Sequence, residues 1–288
     1  MKKYISVLCI LLAIFLFAYS IFFKPEETEK KNPEAPKAVS GDGRAGICAA
    51  FEKNISDMGI TASDIQAVSL TPEERVTGVY TFLQGPKSYG EGRPWSGSWC
   101  EKTAGYHSFG GFGCGLCCMA NIYSTLTDYE CSPWDMYEFA TAVSSYYPSK
   151  ESGAIGWEDM RTTLSAAGFA CKLRRKPKTY AAFRRQIRKA ESAVVLISSA
   201  NDDSFWKDTP GHYVNIWRYR EDTDEVFLAE PGDPERNRTF VPLRFVYDAL
   251  KTVSQFQYLT VTSYSEEGNI WKKNGIEEDW NGKFFGIN

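Results

Sequence analysis

Residues 109–126, FGGFGCGLCCMANIYSTL, set Cys114 between Gly113 and Gly115 at the head of an apolar run that predicts a buried helix from Cys114 to about Leu126. A helix opening there aims the positive end of its dipole at the sulfur, and thiols so placed ionise more readily than free cysteine. The glycines let the backbone crowd that sulfur. A cysteine nucleophile needs an imidazole base, and the chain has only two histidines, His107 and His212.

Downstream of this helix, Ser132-Pro133-Trp134-Asp135 predicts a second helix with Met136, Phe139, Ala140 and Val143 on one face. A third is expected from Gly156 to Ala167, stopped by Gly168, and a fourth, basic and amphipathic, from Tyr180 to Ala190. The pattern then changes to β-branched and aromatic runs at 193–198, 212–219, 225–230 and 257–264, with REDTD (220–224) as a hairpin turn. Helices first and a mostly antiparallel sheet afterwards define an α+β domain. Upstream, Thr71-Pro72-Glu73-Glu74 has the form of a helix start, predicting a helix that carries Val76, Val79, Tyr80 and Leu83. The glycine- and proline-rich stretch 85–99 is expected to be a long ordered loop.

The 288 residues, 43% hydrophobic and 15% aromatic, can bury a sizeable core. A net charge of −3 gives no reason to expect a nucleic-acid partner, and the basic run 172–178 reads as a solvated face near a helix start. Lys2 and Lys3 precede an uncharged stretch from Tyr4 to Phe23, long enough to cross a bilayer with the remainder facing outward. Ala18-Tyr19-Ser20 also has the small-x-small form of a signal cleavage site, so residues 1–23 are either a membrane anchor or a signal segment, and the folded part is extracytoplasmic in both cases. Residues 24–46 read as a disordered linker, 47–264 as one domain and 265–288 as a polar C-terminal tail, packed or mobile. Outside the apolar segment lie seven cysteines, and with Cys114 kept free the other six allow up to three disulfides.

A base on the first residue of a strand and a nucleophile on a helix start are both held by rigid elements at a cleft edge, which fits His212 and Cys114. The strand after the hairpin runs back beside His212, so an acid that orients the imidazole is expected at its far end, where Glu230 and Asp233 are the candidates. Zinc is the rival chemistry: Cys114-x-x-Cys117 with Cys131 and His107 supplies ligand types, but only one short ligand pair where a closed site wants two. The glycine-rich stretch lacks the lysine of a phosphate loop. No metal or cofactor is expected.

The order Gly-Cys-Gly with an apolar helix, then Gly-His-Tyr-Val-Asn-Ile, then an acid before proline resembles the papain-like cysteine peptidases that process double-glycine bacteriocin leaders, in a stand-alone form, over residues 84 to 264. The resemblance implies the papain-like fold, with Cys114 as nucleophile, His212 as general base and Glu230 as orienting acid where the family usually has aspartate. It also implies Gln84 as the oxyanion-stabilising glutamine, with Asp233 the alternative acid, and a peptide or protein substrate. The competing expectation is a catalytically silent module of the same fold that binds peptide or cell-wall ligands.

Overall fold

The computed structural model describes residues 78–199 and 205–282. The expected anchor or signal segment, the linker, Cys9, Cys48 and the helix start at Thr71 lie outside the described residues.

The element order is helices, then sheet. Pro86–Gly90 (α1) and a 3-10 turn at Ser98–Glu101 precede a two-stranded ribbon of Thr103–Ala104 (β1) and His107–Ser108 (β2). Next come Phe109–Phe112 (α2), Cys114–Leu126 (α3), Pro133–Val143 (α4) and Trp157–Ala166 (α5). Ala167–Arg174 (β3), Tyr180–Ile187 (α6), Ser192–Ile197 (β4), His212–Arg220 (β5), Glu225–Ala229 (β6), Thr239–Pro242 (β7), Leu243–Ala249 (α7) and Tyr258–Asn269 (β8) complete it. The six long strands form one antiparallel sheet in the order β3-β8-β4-β5-β6-β7. The chain is therefore α+β, helices before an antiparallel sheet.

Local chemistry explains the boundaries. Ser132 Oγ accepts the Asp135 amide while Asp135 accepts the Ser132 amide, a reciprocal cap that starts α4. Gly168, at φ +89°, follows the last turn of α5, and a Cβ there would lie 2.4 Å from the Ser265 carbonyl oxygen. Only glycine takes that conformation without strain. The central strands are apolar on both faces because both are covered. Val194, Tyr213, Trp217, Phe227 and Leu259 pack towards α3, α4 and α5. Ala193, Val195, Val214, Ile216, Leu228 and Tyr258 pack under Phe183 and Ile187 of α6 and Val246 of α7.

Several expectations need correction. Val79 to Gln84 are not helical: the chain is extended, and the Phe82 amide donates to Asn121 Oδ1 (2.7 Å), that of Leu83 to the Trp95 carbonyl (2.8 Å). All six residues are buried, which a helix lying on the surface cannot achieve. The 85–99 stretch contains α1, started by Pro86 with its preset φ, and part of the 3-10 turn. The basic run straddles two elements: Lys172, Leu173 and Arg174 finish β3, an edge strand, and the rest leads into α6, with Lys172, Arg175 and Lys178 exposed. β7 and α7 were not anticipated either. The described cysteines, Cys100, Cys114, Cys117, Cys118, Cys131 and Cys171, are all free thiols, and Cys100, Cys117, Cys118 and Cys131 serve as small buried core residues in place of the expected disulfides. Of the C-terminal stretch, 265–269 extends β8, Trp271 stacks on Phe139 at 4.3 Å, and Trp280 packs among Phe82, Trp95 and Trp99.

No helix among the described residues is long and apolar enough to cross a membrane.

Candidate active site

Cys114 is the first residue of α3, and the turn of α2 before it is closed by the Gly113 amide donating to the Phe109 carbonyl at 2.7 Å. The two glycines serve packing. A Cβ on Gly113 would sit 2.4 Å from Phe109 Cε1, and one on Gly115 2.7 Å from Ile155 Cγ2, with Met160 and Tyr213 also crowding it. Cys114 keeps 8% of its surface whereas Cys117 and Cys118 keep 0%, so only the first can meet a substrate.

His212 opens β5 and lies between two partners. Its Nε2 is hydrogen-bonded to Oε1 of Glu230, the residue after β6, and the ring is close enough to the Cys114 sulfur for each to shift the other's titration. With Nε2 engaged by the acid, Nδ1 is the nitrogen left for sulfur. The β5–β6 pairing, with Asn215 opposite Ala229, brings the strand that begins with His212 beside the strand end that leads to Glu230. Glu230 is 2% exposed. Its Oε1 also accepts the Gly232 amide (3.1 Å) and its Oε2 accepts Trp206 Nε1–H (3.0 Å).

Burial by itself would push the Cys114 thiol up, but the hydrogen bond and charge of His212, with the Tyr213 and Gly115 amides, outweigh it and hold the thiol below its ordinary value. Burial alone would lower His212; the charge of Glu230 and the Cys114 hydrogen bond instead raise it well above the usual histidine range. Burial likewise opposes ionisation of Glu230, and the His212 charge with bonds from His212, Trp206 and Gly232 keeps its carboxyl below the usual range. The three shifts favour one state, in which thiolate, imidazolium and carboxylate alternate in sign. Cys117 and Cys118, without such partners, are pushed well up by burial.

Gln84 lies beside the turn that precedes Cys114. Its Nε2 donates to the Gly110 carbonyl (2.7 Å), its backbone amide donates to the Pro231 carbonyl (2.9 Å), and its Oε1 is buried without a partner. Asp233 stands away from the imidazole: its carboxylate accepts the Glu235 amide (2.9 Å) and pairs with Arg236 (3.3 Å), so it shapes the turn. His107 Nε2 is 2.7 Å from the Ser149 carbonyl oxygen, and Cys131 is bonded to Ser124. Among the described residues no group of three or more metal-ligating side chains converges.

Sequence reasoning found neither Trp206 nor Asn237 as partners of Glu230. Asn237 Oδ1 accepts the Glu230 amide (3.0 Å) while its Nδ2 donates to the Thr81 carbonyl (2.8 Å). Its place in a turn rich in proline and charge, EPGDPERNR, gave no signal beyond turn composition.

No protein-family model matches the chain, and no curated protein matches it in sequence. Among solved structures it is similar to the peptidase domain of Streptococcus ComA, a bi-functional ABC transporter involved in quorum sensing, at 12% identity and a TM-score of 0.36, covering 57% of this chain and 98% of that one. It is also similar to a putative C39-like peptidase from Bacillus anthracis, at 11% identity and a TM-score of 0.34, covering 54% of this chain and 90% of that one.

Proposed function

We propose that the protein is an extracytoplasmic cysteine hydrolase that cleaves a peptide or related amide bond. The observation that carries this reading is the pairing of His212 with the buried Glu230 and the approach of Cys114 to the same imidazole. In this reading the Cys114 thiolate adds to the carbonyl carbon of the scissile amide. The imidazolium of His212 gives its proton to the leaving amine, and the neutral ring then takes a proton from the water that releases the acyl group. Glu230 holds the ring and stabilises its charged form.

The developing oxyanion would be met by the Cys114 backbone amide and by Gln84. A glutamine amide carries two N–H groups, and the Gly110 carbonyl uses one, which leaves a second for substrate. An amide bond rather than an ester follows from the sequence resemblance. Action outside the cytoplasm rests on Lys2, Lys3 and the uncharged stretch to Phe23.

The test is digestion of a mixed peptide library by the full chain, with products read by mass spectrometry. New termini that appear with the native protein and vanish in Cys114→Ala support the hydrolase. Retention of uncut peptides by both proteins supports the silent binding module instead.

A further inference from the structure

Trp206 lies in the β4–β5 connection and is 1% exposed. Thr209 N–H donates to its carbonyl (3.2 Å), Ser199 N–H donates to the Thr209 carbonyl (2.8 Å) and closes the connection's neck, and Phe205 packs edge-on to the indole at 4.6 Å. The ring is thus fixed before it meets the acid. Its N–H then makes a choice unusual for a buried indole here. Trp99 donates to the Leu83 carbonyl and Trp157 to Ser254 Oγ, both neutral, and Trp134 reaches exposed Glu138, where water competes. Trp206 alone of these donates to a buried carboxylate, at 3.0 Å.

That bond answers a difficulty of having glutamate at this position. Glutamate has one more rotatable bond than aspartate, so a single contact to imidazole leaves the carboxylate free to turn. In this site Oε1 is held by Gly232 N–H and His212, and Oε2 by Trp206. Two anchors on one oxygen and a third on the other define the plane of the group. An unpartnered Oε2 in this buried setting would favour protonation of the acid and withdraw support from the imidazolium.

We infer that Trp206 is a positioning residue of the reaction, its indole N–H fixing the Glu230 carboxylate as an anion against His212 and so maintaining the Cys114 thiolate. This rests on the hydrolase reading above. The other titratable or charged groups near the pair are Cys118 from α3, Tyr213 from β5 and Lys251, whose Nζ lies 2.7 Å from where a Cβ on Gly211 would be; Asp233, in the following turn, is held by Arg236.

The experiment follows the rate of Cys114 alkylation by iodoacetamide against pH in the full chain, resolved by peptide mapping, for native protein and Trp206→Phe. The phenyl ring keeps much of the packing and removes the donor. The midpoint of thiolate formation is expected to rise by about one pH unit, the scale of one hydrogen bond to a charged group. In a Glu230→Ala background the same change should add no shift. A native profile like that of an ordinary thiol would sink the hydrolase reading itself. A low native midpoint that Trp206→Phe leaves in place would sink only the role of Trp206. Should that variant not fold, the indole ¹⁵N–¹H resonance of Trp206 in the native protein decides: it should titrate with the Cys114 midpoint, and a resonance unmoved through that midpoint overturns the inference.

Discussion

The backbone amide of Gln84 donates to the carbonyl of Pro231 at 2.9 Å, so the segment bearing the oxyanion candidate is tied directly to the turn that follows the acid. Asn237 makes a second tie, from the Glu230 amide to the Thr81 carbonyl. A strand end and an extended segment about 150 residues apart thereby move as one body.

Asn237→Ala should break the second tie and leave a buried amide and carbonyl short of partners. The expected cost is about 1–3 kcal/mol of stability, measured by urea unfolding. Peptide cleavage should fall as well, because Glu230 and Gln84 lose their common support. Unchanged stability and activity would show that the Pro231 bond alone suffices.

The two acids that the sequence left open should separate cleanly. Glu230→Gln removes the charge facing His212, and cleavage should fall by about 100-fold or more, the scale of losing a supported general base. Asp233→Asn should leave cleavage close to native, since its carboxylate is spent on Arg236 and a turn amide. Kinetics on both variants check this, and comparable losses would contradict the placement.

Stability should depend on pH through the same pair. The carboxyl of Glu230 is depressed in the folded state, so its contribution is present above its unfolded pKa of about 4.3 and is lost as pH falls below that value through the folded one. His212 is raised, so its contribution is complete below its unfolded pKa of about 6.5 and disappears as pH rises through its folded value. The Tm difference between native protein and Glu230→Gln should therefore shrink on acidification below about pH 4.3. The difference from His212→Ala should shrink on the alkaline side as well, as the imidazolium loses its proton. Parallel curves at all pH values would contradict the shifts.

Glycine substitutions test the packing around Cys114. Gly113→Ala places a methyl 2.4 Å from Phe109 and should cost about 1–3 kcal/mol, with loss of cleavage as the head of α3 shifts. Gly90→Ala, with nothing within 4 Å, should be neutral or stabilising by up to about 1 kcal/mol. Equal thermal melts for the two variants would overturn this account of the Gly-Cys-Gly sequence.

Much of the fold was legible because burial imposes a period. The α3 run, the capped start of α4 and the apolar strands at β4, β5 and β6 each carry their pattern within a few residues, and the distance in sequence between Cys114 and His212 did not hide that both sit at the ends of rigid elements. What was missed depends on tertiary partners. Val79 to Gln84 has a helix-like composition, but its amides are taken by Asn121, Trp95 and Pro231, none of them local. β3 reads as a charge run because an edge strand shows its polar side to water, and its pairing with β8 is nearly 90 residues away. The bond from Trp206 to Glu230 leaves no trace in either local sequence, since an indole in an apolar setting looks like core until its N–H is followed.

The most direct test of the account is the protonation state of Cys114 in the resting protein. Thiolate absorbance near 240 nm, taken across pH as a difference between native protein and Cys114→Ala, should show a thiolate formed well below the ordinary cysteine pKa of about 8.5, and His212→Ala should move that midpoint upward. A midpoint at or above the ordinary value, indifferent to His212, would contradict the ion pair and the hydrolase built on it.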